Sequence, residues 1–162
     1  SPAAPYRHFK DREALMAAIA SRGFDKFSDA LTAAWNDGKP DALAAFKNVG
    51  QAYLAFARKE PAYFAAMFEA RVSPGSTKEL TQATERAFAV LRRACDALIL
   101  TLPENKRPPS LMMALHVWTM SHGIASLFGR GDAARRHIPM TPEALLEANI
   151  LIYLDGLGLS GA

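Results

Sequence analysis

The chain has 162 residues, 50% of them hydrophobic and 22% charged, with a formal net charge of +3. That balance is too apolar for a disordered segment, and the length suits one compact core. A single cysteine, Cys95, excludes an internal disulfide and points to a reducing cytoplasm, while the modest positive charge permits a nucleic-acid partner without demanding one.

Helical signals dominate from the start. Ser1 and Pro2 suit the cap and first position of a short helix over residues 1–8, with Ala3 and Ala4 small enough for close approach to another surface. Tyr6, Arg7, His8 and Lys10, with Arg12 just beyond, offer hydrogen bonds and positive charge of the kind that meets phosphates. A frayed, solvated terminus carries the same composition. Asp11 is placed to cap a long helix ending at Trp35, in which Ala14, Leu15, Ala18, Ile19, Phe24, Phe27 and Leu31 recur mostly three or four apart. The stretch NDGKP at 36–40 supplies a glycine stop and a proline restart.

Pro40 and Asp41 open a second helix with Leu43, Phe46, Val49, Tyr53 and Leu54 on its apolar face. RKEP breaks it, and a short third segment places Tyr63, Phe64, Met67 and Phe68 within two turns, the densest aromatic and methionine group in the chain. A fourth helix over 77–102 carries the stripe Leu80, Ala83, Ala87, Leu91, Ala94, Leu98 and Leu102, with Glu85, Arg92 and Arg93 on its wetter side.

The last two helices differ in character. Over 110–129, Leu111, Leu115, Trp118, His122 and Ala125 share one face while Met112, His116, Met120, Gly123 and Leu127 make another, and little charge occurs anywhere around the cylinder. The segment 142–157 is nearly as apolar. A helix apolar on every side has to be covered on every side. A two-fold contact between copies, made through 110–129 and 142–157 in the manner of a four-helix bundle, would provide that cover and predicts a homodimer. The longest apolar run, NILIYLDGLGL, is interrupted by Asn149, Asp155 and Gly156, so no membrane partner is expected.

Reactive constellations are weak. His116 and His122 are six residues apart, which rotates them away from one another on a helix, and neither His8 nor His137 supplies a ligand motif, so neither a metal nor another cofactor is expected. Cys95 sits mid-helix near two arginines, but no nucleophile elbow, phosphate loop or dinucleotide turn accompanies it, and no catalytic residue is assigned. Phe46, Tyr53, Phe64, Met67, Phe68, Phe88, Met112, Trp118 and His122 come from successive helices of one bundle. They make either ordinary core or an adaptable apolar cavity, in which Tyr53, Trp118 and His122 are the polar handles.

The stretch APYRHFKDREALMAAIASRGF resembles the end of the DNA-binding domain of TetR-type (tetracycline-repressor-like) transcription regulators, through Tyr6, His8 and Phe9 of a Tyr-x-His-Phe signature. Arg12 stands where that family usually has lysine, which keeps the charge but changes the donor geometry. VWTMSHGIASLF at 117–128 is similar to ligand-binding domains of the same family that carry a Trp-His-Gly signature, here Trp118, His122 and Gly123.

The resemblance implies an all-α bundle in which residues 1–10 are the remnant of a helix-turn-helix, 11–38 a connecting helix, and 39–162 a ligand-binding and dimerisation domain. It implies two earlier helices that this sequence lacks, and DNA contacts from Ser1, Pro2, Ala3, Ala4, Tyr6, Arg7, His8, Lys10 and Arg12 in the full-length protein. The expected function is that of a cytoplasmic homodimeric repressor released from operator DNA by an apolar or aromatic small-molecule effector. A helical ligand carrier or enzyme with no DNA role is the alternative, and a purely structural dimerisation module a third.

Overall fold

The computed structural model describes residues 4–129 and 137–159, with side chains from Lys10 onward. Among the described residues there are six α-helices: α1 (Ala4–Trp35), α2 (Ala42–Lys59), α3 (Pro61–Phe68), α4 (Lys78–Ile99), α5 (Ser110–Gly129) and α6 (Pro142–Gly156). Strands are absent among the described residues.

The helix boundaries follow from local chemistry. α1 ends in a left-handed run, Asn36, Asp37 and Gly38 at φ 43°, 51° and 75°. Gly38 takes this conformation at no steric cost and lies against the Trp35 ring. Asp41 then caps α2 by accepting the Ala44 N–H at 2.8 Å. Thr77 and Thr141 do the same for α4 and α6, each at 3.1 Å. Pro61 and Pro142 occupy the first turns of α3 and α6, where a missing N–H costs nothing.

Two expected boundaries are corrected. A separate helix over residues 1–8 and a cap at Asp11 do not occur, because α1 is continuous from Ala4. Neither proline nor glycine interrupts residues 6–22, so nothing halts helix propagation there. α4 stops three residues short of position 102, tightening into turns closed by the Thr101 and Leu102 N–H groups. Arg107 donates to the Leu100 and Leu102 carbonyls at 3.2 and 3.1 Å, so these last acceptors are satisfied without further helix.

α1 packs most extensively on α4 and also meets α2 and α3, while α2 touches α5 and α6, and α5 lies between α4 and α6. At Gly50 on α2 an added Cβ would stand 3.1 Å from Leu146 Cδ2, so the missing side chain lets α6 approach closely. The core runs through all the helices, from Ala17 and Leu31 to Leu98, Met113, Leu146 and Leu154.

α5 is the surprise of the packing. Its buried face is Met113, Ala114, Val117, Ser121, Ile124 and Ala125, whereas Leu111, Met112, Leu115 and Trp118 are exposed. By length and composition alone α5 could cross a membrane, a property that the interruptions in the final helix did not reveal. Its place between α4, α2 and α6 accounts for the inner apolar face, and the outer one is left uncovered.

Candidate ligand-binding site

A cavity of about 420 Å³ lies between α1, α2, α4 and α5, closed at one end by Met67 and Phe68 of α3 and by the loop after it. That volume is within the range of small-molecule sites. α1 contributes Phe24, Phe27 and Leu31, spaced so that all three project from one side. α4 contributes Thr84, Glu85, Phe88 and Leu91, again at helical spacing. Leu111, Leu115 and Trp118 of α5 complete the wall, and their exposure marks the mouth.

Of the nine side chains expected around such a cavity, Tyr53, Met67, Phe68, Phe88 and Trp118 line it. Phe46 does not: it is fully buried core, two turns before Tyr53 on α2, on the right face at the wrong depth. Met112 points outward and is 48% exposed, because it lies across α5 from the buried Ala114, Val117 and Ser121 and off the side that carries Leu111 and Trp118. Phe64 and His122 stand behind the wall, ring upon ring, with centroids 5.5 Å apart and planes 22° from parallel.

Three polar groups at the cavity form a chain. Trp118 Nε1–H donates to Tyr53 Oη at 3.3 Å, and Tyr53 Oη lies 2.9 Å from His122 Nδ1. An indole nitrogen only donates, so the Tyr53 oxygen accepts from Trp118, and its bond with His122 Nδ1 is compatible with either ring tautomer. Burial raises the Tyr53 pKa further above its ordinary value of 10.0, partly opposed by the Trp118 hydrogen bond, and keeps the phenol protonated. Burial lowers the His122 pKa from 6.5, against the pull of the nearby Glu69 carboxylate, and so favours the neutral ring. Phe68 closes on the same imidazole edge-on, at 4.7 Å between centroids. The trio is thus a fixed, neutral anchor.

Reactive groups elsewhere fit no catalytic scheme. Cys95 is buried on α4 and its thiol is pushed up to about 12, chiefly by burial and then by the Asp96 carboxylate, so almost no thiolate forms near neutrality. No group of three metal-ligating side chains converges among the described residues. What this arrangement can do is enclose an apolar molecule and orient it.

A family model described as "Tetracyclin repressor-like, C-terminal domain" matches residues 46–152. The chain belongs to that family. The solved structures include a match titled "Structure of a protein with unknown function from Rhodococcus sp. RHA1", 27% identical, covering 91% of this chain and 75% of that one at a TM-score of 0.69. A comparison with curated proteins gave no match.

Within this tetracyclin repressor-like domain, the Trp-His-Gly residues play separate structural parts. Trp118 faces the cavity, and His122 orients Tyr53 from behind it. At Gly123 an added Cβ would meet nothing within 4 Å, on the exposed side of α5. The α1 contribution to the cavity was present in the sequence as the stripe Phe24, Phe27, Leu31, but a stripe alone does not distinguish a cavity wall from solid core. Glu85 and Thr84 carried no such signal, since on an amphipathic helix both read as solvated residues. Of the residues assigned to DNA, Lys10 and Arg12 are exposed on α1. Ser1, Pro2 and Ala3, and the side chains of Ala4, Tyr6, Arg7 and His8, lie outside the described residues.

Proposed function

We propose that this domain is the effector-sensing part of a homodimeric transcription repressor, released from operator DNA when an apolar or aromatic molecule enters the cavity. In this reading residues 1–10 belong to the DNA-reading segment, 11–38 connect it to the sensor, and 39–162 bind ligand and dimerise. The observation that carries the reading is the continuity of α1. Phe24, Phe27 and Leu31 form one wall of the cavity, and the same unbroken helix carries Lys10 and Arg12 roughly 20 Å further along its axis.

A second connection runs through the loop after α3. Val72 borders the cavity and also a groove that contains Lys10, Arg12 and Arg71. A ligand that displaces Met67, Phe68 or Val72 therefore acts on the end of α1 that bears the basic residues. Typical coupling of this kind amounts to about 1–3 kcal/mol, which requires the ligand to bind the DNA-incompetent arrangement that much more tightly.

The dimer surface in this reading is the uncovered side of α5 and α6. Met112, His116, Thr119 and Gly123 are exposed along α5, and Ala144 and Ile152 along α6, with His116 Nδ1 and Tyr153 Oη 3.2 Å apart across the two helices. Small residues beside large apolar ones suit close contact between copies.

The test is salt-dependent binding of DNA by the full-length gene product, followed by fluorescence anisotropy. Arg12→Ala and Tyr6→Phe are each expected to weaken binding on every sequence, and loss of one ionic phosphate contact at Arg12 lowers the log-log salt slope by about one. An unchanged slope and affinity would take Arg12 out of the DNA surface.

A further inference from the structure

Among the described residues the cavity wall has one carboxylate, and it has no partner there. Glu85 lies on α4 one turn before Phe88, is solvent-exposed at the mouth, and makes no ion pair or hydrogen bond among the described residues. Its neighbour Arg86 is engaged with Asp25 on α1. Among the described residues the rest of the wall contains no lysine, arginine or histidine, so the single ionisable group there besides the protonated Tyr53 is acidic.

Hydrogen-bond donors are scarce as well. The Trp118 N–H is spent on Tyr53 and the Thr84 hydroxyl donates to the Leu80 carbonyl at 2.8 Å, which leaves the buried Ser121 hydroxyl and the Tyr53 hydroxyl, shared with His122, as the neutral donors of the wall. A carboxylate ligand would therefore lose its hydration, find few donors and no positive charge, and meet Glu85. A cation would meet the opposite situation. The Glu85 carboxylate compensates part of its desolvation, and the rings of Phe88 and Trp118, with centroids 6.3 Å apart, present aromatic surface beside it.

We infer that the cavity selects lipophilic cations: the apolar body of the ligand fills the space between Phe24, Phe27 and Leu91, and its ammonium group rests at the mouth between Glu85, Phe88 and Trp118. This inference rests on the reading of the cavity as an effector site and adds the charge class of the effector. It also gives Glu85 a role that the pattern of α4 conceals, since a helix's wet side is where an acid is least noticed.

The experiment is isothermal titration calorimetry of the 162-residue chain with three probes of one shape, naphthylmethylammonium, naphthylmethanol and naphthoate. The cation is expected to bind about tenfold more tightly than the alcohol, and the carboxylate more weakly than either. Glu85→Gln brings the cation down to the affinity of the alcohol. Asp29→Asn, which removes an exposed acid of α1 outside the wall, leaves the order as it was. Equal binding of the three, or tightest binding of naphthoate, overturns cation selectivity while the effector cavity stands. A cation preference that survives Glu85→Gln removes Glu85 from the site. No heat from any probe up to millimolar concentration overturns the effector cavity and the charge class together.

Discussion

α4 and α5 pack side by side and differ in how they declare their faces. α4 carries Glu79, Glu85, Arg86, Arg92, Arg93 and Asp96, and every position of its apolar stripe from Leu80 to Leu98 is buried. α5 has no Asp, Glu, Lys or Arg from Ser110 to Gly129, and neither of the two faces read from its periodicity is the one that packs. Only Ala125 belongs both to an expected face and to the buried one. Leaving a charge inside the core costs several kcal/mol, so charged residues fix which way a helix turns. Where none is present, the hydrophobic pattern lacks a reference direction, and neighbouring helices decide.

The largest test of this contrast sets two adjacent methionines of α5 against each other. Met113 is 0% exposed and Met112 is 48% exposed. Met113→Ala is expected to cost about 2–5 kcal/mol in unfolding free energy, the price of a core cavity. Met112→Ala should alter the monomer's stability little and show itself in association. Urea denaturation at several protein concentrations separates the two effects, and a concentration-independent loss of equal size at both positions would show that α5 has no open face.

Next in size is a charge placed on α6. Ile152 is 73% exposed, so as a monomer the chain tolerates lysine there. In the proposed dimer Ile152→Lys buries charge against an apolar surface and weakens association by about 2–3 kcal/mol, roughly a hundredfold in dissociation constant. Sedimentation equilibrium measures this directly. A variant that associates like the parent would move the subunit contact off α6.

The same contrast explains how much of the site was legible. The fold class, the six helix cores and the opening of α2 at Pro40 and Asp41 follow from periodicity and local chemistry. Tyr53, Met67, Phe68, Phe88 and Trp118 could be singled out because bulky, polarisable side chains on successive helices converge in a bundle. Phe46 shared their face, but its depth along the axis depends on how α2 slides against α5 and α6, which no local pattern encodes. The break expected near Asp11 came from reading a polar residue as a cap, although the residues on both sides of it favour helix.

A third prediction concerns the ring behind the wall. The unfolded chain protonates a histidine near pH 6.5, while folded His122 accepts the proton only at lower pH because burial opposes its charge. In the window below 6.5 the unfolded state therefore binds more protons, so the contribution of neutral His122 is fully present above that value and is lost as pH falls through the folded value. His122→Phe preserves a ring against Phe64 but removes the titration. The difference in denaturation midpoint between parent and variant should then shrink as the pH is lowered from about 7 to about 5. A difference that grows instead would mean that the imidazole is held as a cation in the fold.

The smallest expected effect falls on the charges that made α4 readable. Arg86 pairs with Asp25 across α4 and α1, but the two side chains are 53% and 48% exposed. Water already solvates both charges well, salt screens their attraction, and fixing two long side chains costs entropy. Arg86→Ala should therefore cost no more than about 1 kcal/mol by urea denaturation, less still at high salt. Its role is one of direction: in the alternative rotation of α4 the guanidinium would enter the core, and avoiding that penalty selects the face without adding much to the stability of the face selected. A loss at Arg86 as large as that at Met113 would mean that the ion pair, and not the buried stripe, holds α4 against α1.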